Sequence, residues 1–396
     1  MCYDLKRESP LFMKNRRYFF FLKWGALLAL LATIPFFFFF LASRSFRGPE
    51  LMEGPVGLGV LQETDGVKHL VPLEDVVSGG VSKDALPAIN RPIFESVAFA
   101  DAYLKDNGLG LVLEAEDHVR FYPFQLLVWH EVVNDVFEGV PLLVFYGPLT
   151  GSSAVYHRKM GGDEDGLEPM VFGTSGRVFN NDGLLFDRET ESLWSPFVGE
   201  ALVGERAGDS LVPYPSTVLS WQAFKSAYPK GEVLSRKTGA DRDYTLDPYR
   251  GYEGNTDIFF PLDRMDARLP PKTVVYGYED KKTGVSKAYP LDAIQAVGFL
   301  FDQVGETAVL ILSDQKTGEV RGFSPFLGDR LFNFEKEGDG MKDQETGSLW
   351  NSRGQAVDGP LAGSVLVPVS LRRVYWFAWA AFFPDTVIAK EGPDHF

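Results

Sequence analysis

One octapeptide is written twice in this chain, and that repetition limits the available folds more than any other feature. Asp187-Arg188-Glu189-Thr190-Glu191-Ser192-Leu193-Trp194 returns as Asp343-Gln344-Glu345-Thr346-Gly347-Ser348-Leu349-Trp350, with six of eight positions identical. Downstream, Gly199, Gly204, Gly208, Leu211, Pro213, Trp221 and Pro229 recur as Gly354, Gly359, Gly363, Leu366, Pro368, Trp376 and Pro384, at one constant offset. Upstream, Tyr122-Pro123, Asp135 and Thr150-Gly151 match Tyr289-Pro290, Asp302 and Thr317-Gly318 at a second offset. A register kept across glycines, prolines and tryptophan marks an internal repeat, one supersecondary unit used again. Two tandem repeats are therefore expected, at 86–250 and at 251–396, the second degenerate. The Pro/Gly/Tyr-rich passage 247–254 is read as their border.

Between these landmarks run short β-like segments cut by Gly, Asp and Asn, such as Gly183-Leu184-Leu185-Phe186. Residues 132–137 and 141–146 read as a hairpin turned at Glu138-Gly139. Residues 109–113 and 153–157 read as further strands. Helical stretches are few: 98–104, a short turn or helix over 122–129, and 220–228 with its counterpart 375–383, each of the last two stopped by proline. The fold class expected is α+β, mainly antiparallel β.

Ahead of the repeats, residues 24–42 carry no formal charge and include the run Phe36 to Phe40. At about 1.5 Å per residue such a helix nearly crosses a hydrocarbon layer of about 30 Å. Lys6, Arg7, Lys14, Arg16, Arg17 and Lys23 precede it against only Asp4 and Glu8, an asymmetry that keeps the N-terminus cytoplasmic. A cleavable signal ending near Leu41-Ala42-Ser43 is the competing reading, but the stretch exceeds the usual h-region of about 7–15 residues. The expected layout is a cytoplasmic tail (1–23), a transmembrane signal-anchor helix (24–42), a juxtamembrane linker (43–85) and an extracytoplasmic body. The bilayer of the cell membrane is the one partner this implies. The net charge of −15, without a basic stripe outside the N-terminus, excludes a nucleic-acid binder. The single cysteine, Cys2, leaves no disulfide or thiol-based metal site to be built within the chain.

The repeat also sorts candidate chemistry, because residues kept in both copies serve the fold and polar residues present in one copy serve a local site. Asp187, Glu189, Thr190, Ser192 and Trp194 are shared and read as turn and core residues, with a carboxylate pair at a cleft rim as the functional alternative. By contrast Trp129-His130-Glu131-Val132-Val133-Asn134-Asp135 aligns with Ala296, Val297, Gly298, Phe299, Leu300, Phe301 and Asp302. On an extended strand His130 and Asn134 would face one side, Glu131 and Asp135 the other. The catalytic candidates are thus His130, Glu131, Asn134, Asp135, Asp187 and Ser175. Set against them is a histidine merely satisfied by hydrogen bonds at a seam. A serine hydrolase would need Ser152, Ser153 or Ser175 with His130 and Asp187, yet Phe172-Gly173-Thr174-Ser175-Gly176 lacks the nucleophile-elbow spacing. A metal site would draw on His130 and His157 with Glu131 or Asp135, again without supporting spacing. No cofactor is implied.

These residues together resemble a family of bacterial and archaeal extracytoplasmic proteins, domain-of-unknown-function family 3179. The resemblance rests on Tyr122-Pro123, His130-Glu131, Asn134-Asp135, 147–152, 172–176, 187–190 with Ser192-Leu193-Trp194, Trp221, and the cluster of Tyr244, Asp247-Pro248-Tyr249 and Tyr252. It implies an exported domain from about residue 86 onward and carries no established activity. The family usually has cysteine where this chain has Gly147, and often a second where it has Thr150; any thiol chemistry is lost here. The expectation is a non-catalytic binding or envelope-associated module with Trp129, Thr150, Ser152, Ser153 and Arg188 as binding residues. The alternative is a hydrolase or metal-dependent enzyme built on His130 and a carboxylate.

Overall fold

In the computed structural model, which describes residues 58–115, 118–160 and 168–389, each octapeptide closes a turn around its aspartate. Asp187 is fully buried. Its Oδ1 accepts the Thr190 N–H at 2.7 Å and the Glu189 N–H at 3.2 Å, and its Oδ2 accepts the indole N–H of Trp194 at 2.9 Å. Asp343 repeats the scheme with Thr346 at 2.6 Å and Trp350 at 2.9 Å. A short acidic side chain that satisfies its own downstream backbone is what fixes such turns.

The strands of the N-terminal half are β1 (Gln62–Thr64), β2 (Val67–His69), β3 (Val77–Ser78), β4 (Phe94–Ser96), β5 (Leu109–Ala115), β6 (His118–Pro123), β7 (Val132–Phe137), β8 (Val140–Gly147), β9 (Ser152–His157), β10 (Phe172–Phe179), β11 (Asp182–Asp187), β12 (Leu193–Ser195), β13 (Glu200–Val203), β14 (Thr217–Ser220) and β15 (Glu232–Leu234). Those of the C-terminal half are β16 (Val274–Asp280), β17 (Val285–Pro290), β18 (Phe299–Val304), β19 (Thr307–Ser313), β20 (Val320–Phe323), β21 (Phe326–Leu327), β22 (Arg330–Leu331), β23 (Phe334–Glu337), β24 (Gly340–Asp343), β25 (Leu349–Trp350), β26 (Ala356–Asp358), β27 (Pro368–Val369), β28 (Arg372–Tyr375) and β29 (Val387–Ile388). The α-helices among the described residues are short: α1 (Val97–Ala100), α2 (Phe124–Leu127), α3 (Trp221–Ala227), α4 (Leu291–Val297) and α5 (Trp376–Phe382). The protein is α+β and mainly antiparallel β.

The pairings follow one scheme in both halves. In the first, β14 lies antiparallel to β5, β5 antiparallel to β6, and β6 parallel to β15. In the second, β28, β16, β17 and β29 pair in the same sequence and senses. The meander β7-β8-β9 has its match in β18-β19-β20, and β10 to β13 in β23 to β26, with a register shift at Leu193/Trp194 in one and Leu349/Trp350 in the other. Within the stretch 43–85, read from sequence as a linker, β1, β2 and β3 join the sheet β1-β2-β13-β12-β11-β10-β3.

The halves share hydrogen bonds and a core. Strand β28 meets β9 at Arg373 and Ser153, and the largest mixed sheet runs β29-β17-β16-β28-β9-β8-β7. The apolar face of α5, with Trp376, Trp379 and Phe382, packs among Phe179, Phe197 and Leu202 of the N-terminal half. That helix follows two arginines which do not interrupt it, because they lie in β28: Arg373 donates to the Gly151 carbonyl at 2.9 Å and Arg372 reaches Glu279 at 3.3 Å. The segment 24–42, read as a membrane anchor, lies outside the described residues, as does Cys2. Among the described residues no helix is long and apolar enough to cross a membrane.

Candidate functional site

His130 and Glu131 stand where α2 hands over to β7. Both backbone N–H groups donate to the Leu127 carbonyl, at 3.0 and 2.6 Å, so the helical turn is still closing there. Glu131 changes the chain direction in the left-handed conformation, φ 60°, at a cost of about 1 kcal/mol or more for a residue with a Cβ. The strand begins only at Val132. The alternation expected over 130–135 therefore starts two residues later than the sequence suggested, and His130 and Asn134 take different partners.

His130 is buried with both ring nitrogens engaged. Nδ1 lies 2.7 Å from the Pro87 carbonyl oxygen and Nε2 2.6 Å from the Tyr244 hydroxyl. A carbonyl only accepts, so Nδ1 carries the proton. Nε2 of the neutral ring then accepts from Tyr244, whose oxygen accepts from Thr238 Oγ1 at 2.6 Å. Burial holds the imidazole below its ordinary range; the Pro87 bond opposes this and the Arg242 charge adds to it. The ring is a neutral link in a chain of hydrogen bonds, and neither bond goes to a carboxylate.

Glu131 is different. Its carboxyl is pushed up to about 8, first by burial and then by the charge of Asp182. Its oxygens lie over Gly183, one of them 3.3 Å from where a side chain would begin. Asp182 is itself fully buried and pushed up to about 7 by burial, although the Ser195 hydroxyl at 2.5 Å and the Phe197 N–H favour its ionised form. Its Oδ1 has no partner among the described residues. Asn180 and Asn181 just before it are both left-handed, and they hold the 260–263 loop through bonds to Phe260 and Asp263.

Tyr244 also lines a cleft, a cavity of about 250 Å³ walled by Phe124, Tyr146, Tyr244, Tyr249, Tyr252 and Tyr375. One wall is the loop 244–253, pinned by Gln125 Nε2 to the Tyr244 carbonyl (2.8 Å), Trp129 Nε1 to the Leu246 carbonyl (3.1 Å) and the Tyr252 hydroxyl to the Leu149 carbonyl (3.0 Å). Tyr146 stacks on Phe124, centroids 3.9 Å apart. No hydrogen bond from a described side chain occupies the hydroxyls of Tyr146, Tyr249 or Tyr375. The carboxylates of Asp247 and Glu253 complete the lining with Lys105. Burial, then Glu253, pushes the Tyr375 hydroxyl up to about 12, with Arg373 opposing and Asp247 adding.

The remaining residues singled out from sequence are dispersed. Asn134 ties Asn90 (2.7 Å) to the Phe172 backbone (2.8 and 3.0 Å). Asp135 accepts from Tyr122 at 2.5 Å and Arg120 at 3.0 Å, and the corresponding Asp302 accepts from Tyr289 at 2.8 Å. Ser175 donates to the Leu184 carbonyl at 2.5 Å at a β-bulge. Thr150 and Ser152 bond each other at 2.7 Å beside Gly147, and Ser153 pairs with Tyr146 across β8 and β9. Arg188 forms a two-pronged pair with Asp84 (2.8 and 3.1 Å), and the His157 ring lies against Tyr214. Among the described residues no group of three or more His, Cys, Asp or Glu side chains is placed to hold a metal ion. Asp182, Tyr146 and Tyr375 were not singled out from sequence. The tyrosines spaced along 244–252 were the available signal for the cleft wall.

Antiparallel sheets and short helices make this an α+β protein, mainly antiparallel β. Within that class, the chain belongs to the DUF3179 family, proteins of unknown function, whose family model matches residues 83–386. No curated protein and no solved structure matches the chain.

Proposed function

We propose that this protein is a membrane-anchored, extracytoplasmic binding module whose ligand site is the tyrosine-lined cleft. One observation carries the reading: aromatic faces and uncommitted hydroxyls converge on one concavity, while His130 behind them is committed as a neutral prop for Tyr244. Clefts of mixed aromatic and polar lining are where small molecules bind. A histidine already bonded at both nitrogens supports a positioning role rather than acid–base chemistry.

The same reading takes the chain as a tandem duplication in which the first copy holds the site. In support, the two halves pair their strands in one scheme, and only the first has His130 and Glu131 at the bend after its short helix. The anchor at 24–42 would hold the body at the outer face of the membrane, as the charge asymmetry of the tail favours.

The test is ligand-observed NMR of the full chain in non-ionic detergent against a set of small molecules, beside Tyr249→Ala and Tyr146→Ala. Ligands bound by the parent and released by both variants, with unchanged circular dichroism, are the expected result. Binding indifferent to both substitutions, or chemical turnover of a bound molecule, would replace the reading.

A further inference from the structure

We propose that the cleft selects an organic ammonium ion, a quaternary or protonated amine small enough for a cavity of about 250 Å³. The inference rests on the binding reading above and names its ligand class. Three features carry it. The wall is built of aromatic rings, and the negative face of an aromatic ring attracts a cation held within about 6 Å of its centre. The lining carries two carboxylates, Asp247 and Glu253, against the single cation Lys105. Both carboxylates raise the hydroxyls of Tyr146 and Tyr375 against the opposing charge of the buried Arg373, so acidic groups reach the place where the rings meet.

The loop already shows this chemistry with one of the protein's own side chains. Lys272 Nζ sits 3.2 Å from the centroid of the Tyr252 ring and donates to the Tyr252 carbonyl. An ammonium over a ring, with an oxygen acceptor beside it, is the arrangement a soluble ligand would find among Tyr146, Tyr249 and Tyr375. An anion would meet Asp247 and Glu253. A neutral ligand would gain the stacking but nothing from the carboxylates, which makes charge the discriminating variable.

The experiment titrates the full chain in non-ionic detergent with choline and with 3,3-dimethylbutan-1-ol, its uncharged isostere, by calorimetry at low and high salt. Choline is expected to bind about tenfold or more tightly than the alcohol and to weaken as salt screens the carboxylates. Asp247→Asn with Glu253→Gln should lower choline affinity about tenfold while leaving the alcohol unaffected, and Tyr249→Ala should weaken both. If the two ligands bind equally and Tyr249→Ala weakens both, the charge inference falls and the cleft remains the site. If choline does not bind at millimolar concentration, the inference falls as well. The cleft reading is then decided by whether ligands from the NMR set are lost in Tyr249→Ala and Tyr146→Ala. Loss of choline binding only in variants remote from the cleft, such as Arg188→Ala, overturns both.

Discussion

Glu131 combines a left-handed backbone with a buried carboxyl whose pKa of about 8 lies well above the ordinary 4.5. The sign of the consequence is fixed. A carboxyl whose folded pKa is raised contributes stability that is fully present below about 4.5 and is lost as pH rises through about 8. Glu131→Gln keeps the shape and removes the titration. Across that window the wild type should lose on the order of a few kcal/mol relative to the variant, since each tenfold difference in proton affinity between the folded and unfolded chain is worth about 1.4 kcal/mol. Urea midpoints for both proteins at several pH values measure it, and parallel profiles would disprove it. His130 answers a different question. In His130→Phe the Pro87 carbonyl loses its partner, at about 1 kcal/mol, while the Tyr244 hydroxyl keeps Thr238 Oγ1 at 2.6 Å but is no longer held toward position 130. If the histidine props the cleft, ligand affinity should fall together with stability; unchanged affinity would confine His130 to folding.

At the scale of elements, the octapeptide turn was legible from sequence because everything it needs is local. Asp187, Thr190 and Trp194 lie within one turn and its exit strand, and the second copy reports which of them the turn requires. The copies also differ informatively. Glu191 sits left-handed at φ 59° where the second copy has Gly347 at 76°, so the first copy bears a strain that the second avoids. Its carboxylate pairs with Lys83 at 2.6 Å, but both side chains are exposed, and such pairs contribute little. Glu191→Gly is therefore expected to stabilise the protein by about 0.5–1 kcal/mol, read as a shift in denaturant midpoint. Asp187→Ala should do the reverse, by on the order of 3 kcal/mol, since the buried indole N–H of Trp194 and two backbone donors lose a charged acceptor together. The bend at Glu131 and the cleft escaped a local reading for one reason. A left-handed glutamate breaks strand alternation without a glycine to announce it, and the cleft joins Tyr146, Tyr249 and Tyr375, which lie more than a hundred residues apart.

The whole molecule poses the question of how separately the two halves behave. Sequence divides them at 247–254, yet the structure binds them through secondary structure as well as surface contact. Strand β28 of the C-terminal half completes a sheet with β9 of the N-terminal half, and the Tyr375 N–H donates to the Thr150 carbonyl at 2.8 Å. Thr217 of β14 reaches the Val320 carbonyl of β20 at 3.3 Å, a second crossing in the opposite direction. The core built on Trp376, Trp379 and Phe382 is divided between the halves, so neither can bury its apolar face alone. Burial of three large aromatic side chains, at about 3–5 kcal/mol each when truncated, exceeds a third of the total stability of most domains. The body should therefore unfold in one cooperative step, with tryptophan fluorescence and far-ultraviolet circular dichroism tracing the same denaturant curve. Gly277 gives a focused version of the test. A Cβ there would fall 2.1 Å from the Trp379 ring, so Gly277→Ala should lower the midpoint of both probes equally, although the side chain it would meet belongs to the C-terminal share of that core. Two separated transitions, or a Gly277→Ala effect confined to one probe, would mean that the halves are independent domains in contact. In that case the cleft, which draws Tyr375 from one half and Tyr146 from the other, would open whenever they part.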